Sequence, residues 1–573
     1  MTGARPWPGS RDLVAAALLA LLAVPTLFLG LGTPAFMDNE SRYAEVAREM
    51  LLSGDWMTPR LNFTVFLNKP PLAYWLTALT FEAVGINEYG RLWVALTALG
   101  TLGVTFLLGR TLGGSRVGLL SSLVLLTSAG FFLEGRTLRP DLLLVLLVST
   151  ALLGFLKASQ ARTIRDRTLW VYLSVFALAL SVLAKGLVGV ALVGATTGLT
   201  LLLGDRPAPG WRQVRWWPAL LIVLAVILPW YLVTGLRNPG FWWDSIVNQH
   251  VLALVDRKLP RDSRPDSLLY FWGAFLIRTL PWCIYLPVAL LRAVRILRHS
   301  RTPGKLLPAI WFGVVLAFFS LMPSRLRHYS LPALPAVALL VGGWWAEVIE
   351  RRGARSVGAL VAGASLVLIA VTGFVTVPWV VRSQAWAQGF PELTRPAALV
   401  FGLLIVGTGA ALGSVWRGRP GPAFALLLLT ILPQFFFVHR SLALIEPVNS
   451  WKSVGMAISR LSPRDGEVIF AASEEYQLCA GVNFYTGRPL SVWLPDGYVP
   501  PTYLDLGDHT VFLTRSEFLR RWQADRTVLL VVDPGRRAGD PAALVPAPVW
   551  VVGRWGDRVL LANRPVSPTG GQQ

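Results

Sequence analysis

Long apolar runs separated by short, arginine-rich breaks dominate this chain. A bilayer core of roughly 30 Å needs about 20 helical residues. Runs near that length recur at 11–32, 89–110, 116–133, 139–158, 168–184, 187–204, 216–236, 268–291, 306–323, 329–349, 357–381, 396–416 and 421–441. The pattern predicts about thirteen membrane-spanning helices. The run at 13–31 follows Arg11, is long for a signal sequence and has no clear small-residue cleavage site after it, so it reads as a retained span. Residues 70–86 are also apolar, but Pro70, Pro71 and Glu82 favour a juxtamembrane helix over a span.

The polar breaks carry the second layer of information. From Asp38 to Pro71 the chain is charged, with Asp38, Glu40, Glu45, Glu49 and Asp55 set against Arg42, Arg48, Arg60 and Lys69. Within it Tyr43, Val46, Ala47, Met50 and Leu51 recur at helical spacing, predicting a short interfacial helix whose Glu45 and Glu49 face solvent. Lys69-Pro70-Pro71 ends the stretch by fixing the backbone behind a lysine. After about residue 441 the period changes. Strand-like runs at 467–472, 510–514, 527–533, 549–553 and 558–562 alternate with helical pieces at 451–461 and 516–522. The expected organisation is therefore a transmembrane domain, 1–441, with juxtamembrane segments at 33–88 and 237–267, followed by a soluble α/β domain, 442–573.

Composition supports the membrane reading. Of 573 residues, 54% are hydrophobic and only 15% charged, while mean hydropathy is +0.54. The 24 tryptophans suit the two interfaces of a polytopic protein. A net charge of +21 would suit nucleic acid, but the cations sit in short clusters between apolar runs, such as Lys157–Arg167 and Arg292–Lys305. With a cytoplasmic N-terminus, alternate loops collect nearly all these clusters, and shifting the register by one span destroys the asymmetry. This topology places residues after 441 outside, in the periplasm or outside the cell. Cys283 and Cys479 offer neither a disulfide framework nor metal-ligand spacing.

Ionisable residues gather at span ends on the outer side, which suggests a polar cavity there. For a phosphorylated lipid substrate, Asp38, Glu40 and Asp141 are candidate general bases. Lys69, Arg325 and Arg327 could hold the phosphate, and His250 could bond it or ligate a divalent ion. Each has a structural alternative. Asp38 can cap a helix, Asp141 can favour a helix dipole, Lys69 can snorkel, and Arg325, Arg327 and His250 can be surface anchors.

The order DNESRYAEVAREMLLSGDW, NKPPLAYWLTAL, GINEYGRL and LRPDLLL, over about the first 140 residues, resembles the GT-C membrane glycosyltransferases that use polyprenyl-phosphate sugars. That group includes protein O-mannosyltransferases and the lipid A aminoarabinose transferase. Weaker similarity runs through LAKGLVG at 183–189 and the text around 325–340. The resemblance implies a GT-C polytopic fold and transfer, with inversion, of a sugar from an undecaprenyl or similar phosphate carrier to a lipid, glycan or protein acceptor on the outer face. Glu40 and Asp141 match the family's acidic residues, Arg42, Lys69 and Lys185 its carrier-phosphate contacts, and Tyr329 a tyrosine near that phosphate. Tyr43 adjoins Arg42 in the same group. His250 falls where the aminoarabinose enzymes place a metal-associated histidine, so Glu40 and His250 are the candidate ligands for a divalent metal. The chain departs from the pattern at Asn39, where the family has an acid, and at Asn68, where the aminoarabinose enzymes tend to have one. Two rival readings are a transporter or flippase of lipid-linked sugars and a non-catalytic envelope assembly protein.

Overall fold

The computed structural model describes residues 9–205, 211–253, 255–259, 266–351, 355–383, 389–461, 466–472, 476–494, 498–504, 511–532 and 545–566. The chain forms two compact units. A helical unit takes Met1–Leu31, Leu92–Pro229 and Pro265–Leu442, and a mixed unit takes Gly32–Arg91, Trp230–Arg264 and Ala443–Gln573. The segments expected to belong with the transmembrane domain, 33–88 and 237–267, are for the most part grouped with the C-terminal sheet instead.

Among the described residues ten helices are long and apolar enough to cross a bilayer. They correspond to ten of the thirteen runs. The other three are helical but short or broken. The run 116–133 divides into Ser115–Leu126 and Ala129–Glu134. At that break the Thr127 and Ser128 hydroxyls donate to the Leu123 and Val124 carbonyls. The run 187–204 is a helix of sixteen residues, Val188–Leu203. The run 268–291 stops at Thr279, before Pro281, and resumes as Leu286–His299, since proline lacks the N–H the ladder requires. The result is a polytopic helical protein, and the peripheral helices Trp216–Arg237, Val357–Ser383 and Pro391–Trp416 leave most of their apolar surface uncovered by protein, as lipid-facing helices do.

The helical unit is held together by close helix pairs. Asp141–Gln160 and Ile164–Lys185 form an antiparallel hairpin, capped by Thr163, whose hydroxyl accepts from Asp166 N at 3.1 Å. Their backbones approach so closely at Gly154 that an added Cβ would lie 2.8 Å from the Trp170 carbonyl. Ser174 Oγ donates to the Ala151 carbonyl across the same contact at 2.8 Å. Small residues at a crossing are how apolar helices pack without a hydrophobic drive from lipid. The second helix ends at Gly186, with φ of 76°, a conformation glycine adopts without strain.

In the mixed unit, strands β1 (Arg60–Leu61) and β2 (Thr64–Val65) make a small hairpin. A six-stranded sheet contains β3 (Glu467–Ala471), β4 (Ser491–Trp493), β5 (Phe512–Leu513), β6 (Val528–Val532), β7 (Trp550–Trp555) and β8 (Arg558–Ala562) in the order β5-β4-β3-β6-β8-β7. Strands β3 to β6 run parallel, and β8 and β7 close the edge antiparallel. All five residues of β6 are buried, the continuous apolar run of a strand covered on both faces. Trp493 stacks on Phe518 at 4.2 Å over this core. The five predicted strands are present, together with β4 and the helix Ala480–Thr486, which are too short for periodicity to reveal.

The amphipathic stretch is a helix, Asp38–Ser53, but its charged face is not solvated. Glu45, Arg48 and Glu49 are all buried where the helix packs against Leu72–Val84 and Ala480–Thr486. Arg48 donates to both oxygens of Glu45 at 2.7 Å, a two-pronged pairing that makes burial of the charges tolerable. Leu72–Val84, at thirteen residues, is a helix shorter than a bilayer crossing requires.

Candidate active site

The helical unit brings Asp141, Lys185 and Tyr329 together. Asp141 opens its helix behind Pro140, where an acid suits the positive end of the dipole, and Lys185 closes the neighbouring helix, where a cation suits the negative end. Because the two helices are antiparallel, these ends coincide, and Lys185 Nζ lies 2.5 Å from Asp141 Oδ1. The ammonium also sits over the Tyr329 ring, 4.8 Å from its centroid. His328 Nε2 is 3.6 Å from Asp141 Oδ1, and its ring meets Tyr329 edge to face. Asp141 is almost wholly buried, while Lys185 and His328 keep a little exposure. An anion entering here would meet a cation already positioned, beside the carboxylate that pairs with it.

A second network lies beside it in the same unit. Arg139 Nη2 spans both oxygens of buried Glu134 at 2.7 and 2.6 Å, and Arg278 Nη1 reaches the same carboxylate at 3.0 Å. Two guanidinium groups on one acid leave a net positive charge within electrostatic range of His328. Arg278 escaped the sequence reading, although an arginine in LLYFWGAFLIRTL is the kind of lone intramembrane charge that marks function. Arg325 and Arg327 are arranged differently. Asp266 Oδ2 accepts from Arg327 N at 2.6 Å, and the Arg327 side chain donates to the Tyr270 hydroxyl at 3.0 Å. Arg325 donates to the Ser320 carbonyl at 3.2 Å.

The mixed unit holds the other sequence candidates. Glu40 forms a two-pronged pair with Arg91, 2.8 Å on each side, and its Oε2 also accepts from Met37 N at 3.0 Å. Arg91 further donates to the Pro34 and Ala35 carbonyls, so this pair fixes the chain entering helix Asp38–Ser53. Both Glu40 oxygens are thus engaged, and the side chain is 1% exposed. Asp38 is spanned by Arg558 Nη2 at 2.6 and 2.8 Å. Arg42 donates to Gln477 Oε1 at 2.5 Å, and Asn68, next to Lys69, donates to the same oxygen at 3.3 Å. Tyr43 packs on Tyr74, with ring centroids 5.6 Å apart.

His250 sits apart, with Nδ1 2.6 Å from the Ser245 carbonyl. Asp244, missed from sequence, lies on the same helix, Trp243–Leu252. Asp244 accepts from Asn248 at 2.7 Å, and burial raises its carboxyl above the usual range, opposed by Asn248, Gln249 and the charges of Lys258 and Lys69. Glu49 is pushed up to about 9 by burial, then by the neighbouring Glu45 carboxylate. Among the described residues no group of three or more His, Cys, Asp and Glu side chains could hold a metal ion, and Glu40 and His250 are each engaged by other partners.

Comparison with known proteins identifies the fold. The family described as dolichyl-phosphate-mannose-protein mannosyltransferase matches residues 13–243. The crystal structure of ArnT from Cupriavidus metallidurans bound to undecaprenyl phosphate superposes with a TM-score of 0.82 at 24% identity, covering 98% of this chain and 100% of that one. The chain has the GT-C fold. Among curated relatives, an undecaprenyl phosphate-alpha-4-amino-4-deoxy-L-arabinose arabinosyl transferase of Pseudomonas fluorescens (strain Pf0-1) is 29% identical over 59% of this chain and 58% of its own length. An uncharacterized protein of Aquifex aeolicus (strain VF5) is 30% identical over 56% of this chain and 62% of its own. The chain thus spans about three fifths of the length of these curated relatives. On this GT-C scaffold the Asp141–Lys185 pair is set where one span begins and its neighbour ends, at a single level of the helical unit.

Proposed function

We propose that this GT-C protein is an integral-membrane glycosyltransferase that moves a sugar from a polyprenyl phosphate carrier to an acceptor on the outer face of a bacterial inner membrane. The observation that carries the reading is the buried Asp141–Lys185 pair with His328 and Tyr329 at a common end of packed spans. The similarity to proteins named for undecaprenyl phosphate supports a lipid carrier of that kind. An acceptor oxygen attacks C1 of the sugar, the bond from C1 to the carrier phosphate breaks, and the electron pair leaves with the phosphate. One displacement inverts the anomeric centre. The acceptor proton passes to a carboxylate, and we assign that role to Asp141. The leaving phosphate needs charge rather than a proton, and Lys185, aided by Arg325 and Arg327, supplies it. Arg42, Tyr43, Lys69 and His250 are the further candidates for contacts to the carrier or sugar, with Asp38 and Glu40 as alternative bases once separated from Arg558 and Arg91. The positive-inside pattern supports a cytoplasmic N-terminus and a periplasmic C-terminal sheet.

The test is to incubate purified protein with a panel of polyprenyl-phosphate sugars, 4-amino-4-deoxy-L-arabinose included, and to follow release of the carrier by mass spectrometry. One donor should be consumed, and Asp141→Asn should lower turnover about 10²- to 10⁴-fold while the protein still inserts and folds. Consumption of no donor in a broad panel, or full turnover by the Asn variant, would refute the assignment.

A further inference from the structure

A cavity of about 750 Å³ opens in the helical unit between Leu286–His299 and the junction of Arg327–Glu350 with Val357–Ser383. It does not belong to the proposed active site. His328 begins the helix whose other end supplies Glu347 to this cavity, a separation of roughly 30 Å at 1.5 Å per residue. Five permanent cations line it, Arg292, Arg295, Lys305, Arg351 and Arg355, against one carboxylate, Glu347, so five minus one leaves a charge of +4. Glu347 is already shared by Arg292, at 2.6 Å, and Arg351. Arg355 stacks on Trp416 at 4.7 Å. The Arg295 guanidinium and the Lys305 ammonium make no ion pair or hydrogen bond among the described residues.

Like charges gathered in one hollow repel unless an anion neutralises them. Guanidinium groups favour phosphate, which they grip by paired hydrogen bonds. Most of the remaining wall is apolar, with only His299 and Ser356 polar. Leu291 and Val357 line the cavity and are 58% and 71% exposed, and Val361, one turn on along the same helix, is 61% exposed. A soluble anion has no use for that surface, whereas a lipid would lay acyl chains along it. The cavity also sits where spans terminate, at the end that the cationic loops mark as cytoplasmic, the level of lipid head groups.

We infer that this cavity is a binding site for an anionic glycerophospholipid, the phosphate held by Arg295, Lys305 and Arg292 and the chains lying over Leu291 and Val357. The test is binding of dioleoylphosphatidylglycerol to the purified full chain, read by native mass spectrometry and by the shift in Tm. Phosphatidylglycerol should bind at least about tenfold more tightly than phosphatidylcholine, and R295A/K305A should remove about that factor. Arg298→Ala, a cation of the same helix outside the cavity, should change affinity less than about twofold, and glycerol 3-phosphate at equal concentration should not compete. Lys305→Glu alone, at the start of helix Pro303–Leu321, gives an independent reading and should reverse the lipid preference. Equal loss in Arg298→Ala would mean generic surface charge. Competition by glycerol 3-phosphate would mean a soluble anion. Equal binding of phosphatidylcholine, or full binding by both cavity variants, would overturn the proposal outright.

Discussion

At the scale of single residues, the charged groups nominated by sequence are all accounted for by partners, and the kind of partner separates their roles. Asp141 and Lys185 are coupled at 2.5 Å, so they should act as a unit. Asp141→Asn and Lys185→Met should each abolish most sugar transfer, and the double variant should lose about as much as the worse single one rather than the product of both. A double-mutant cycle on kcat/KM checks this, and multiplicative losses would show that the two side chains work independently. Glu49 makes a different prediction. Its carboxyl is pushed up to about 9 by burial and by Glu45, against an ordinary value near 4.5. The native state therefore binds this proton more tightly than the unfolded chain, so its contribution is complete below about pH 4.5 and is lost as pH rises toward about 9. Glu49→Gln keeps the neutral shape and should flatten that decline, making the variant more stable than the wild type at pH 9, as read by thermal unfolding across pH 5 to 9.

At the scale of elements, the entry to helix Asp38–Ser53 depends on one buried pair. Glu40 and Arg91 satisfy each other and also hold Met37 N and the Pro34 and Ala35 carbonyls. Glu40→Gln alone leaves a buried guanidinium uncompensated and should cost about 3–5 kcal/mol of stability. Glu40→Gln with Arg91→Met should recover part of that loss, since no charge is then stranded. Recovery of stability without recovery of turnover would point to a role for Glu40 beyond the fold. The same helix marks the limit of sequence reading. Its spacing revealed a helix and an apolar face, because those follow from a 3.6-residue period. Burial of Glu45, Arg48 and Glu49 was not legible, because it depends on Ala480–Thr486, more than 400 residues away. The spans were legible, since apolar length is local information. Their interruptions at Thr127–Ser128 and Pro281 were visible only as ambiguous residues, and the Asp141–Lys185 contact only as two charges at span ends. Arg558, which engages Asp38, carried no signal, because a buried arginine in an otherwise ordinary strand looks like any surface cation.

At the scale of the whole molecule, membrane sidedness is the property on which the glycosyltransferase reading depends, because a carrier-linked sugar on the outer face is useless to a site that opens inward. Charge argues the orientation more strongly than any single residue does. The Arg292–Lys305 cluster and the cations at 351, 352 and 355 fall on the same side because two spans separate them, and one span inserted or omitted between them would put them on opposite sides. Arg298 and Asp525 make suitable reporters, since both are exposed, Arg298 at the end of Leu286–His299 and Asp525 beyond Arg515–Trp522 in the sheet region. In a background with Cys283 and Cys479 replaced, Arg298→Cys and Asp525→Cys each introduce one thiol that a membrane-impermeant maleimide either reaches or does not. In intact spheroplasts Asp525→Cys should label fully and Arg298→Cys only after the membrane is permeabilised. The reverse pattern would put the sheet in the cytoplasm and make transfer on the outer face untenable. Labelling of both would require an even number of crossings between the two reporters. That would remove one of the five long helices between them, Pro303–Leu321, Arg327–Glu350, Val357–Ser383, Pro391–Trp416 or Pro420–Leu444, from the set of spans.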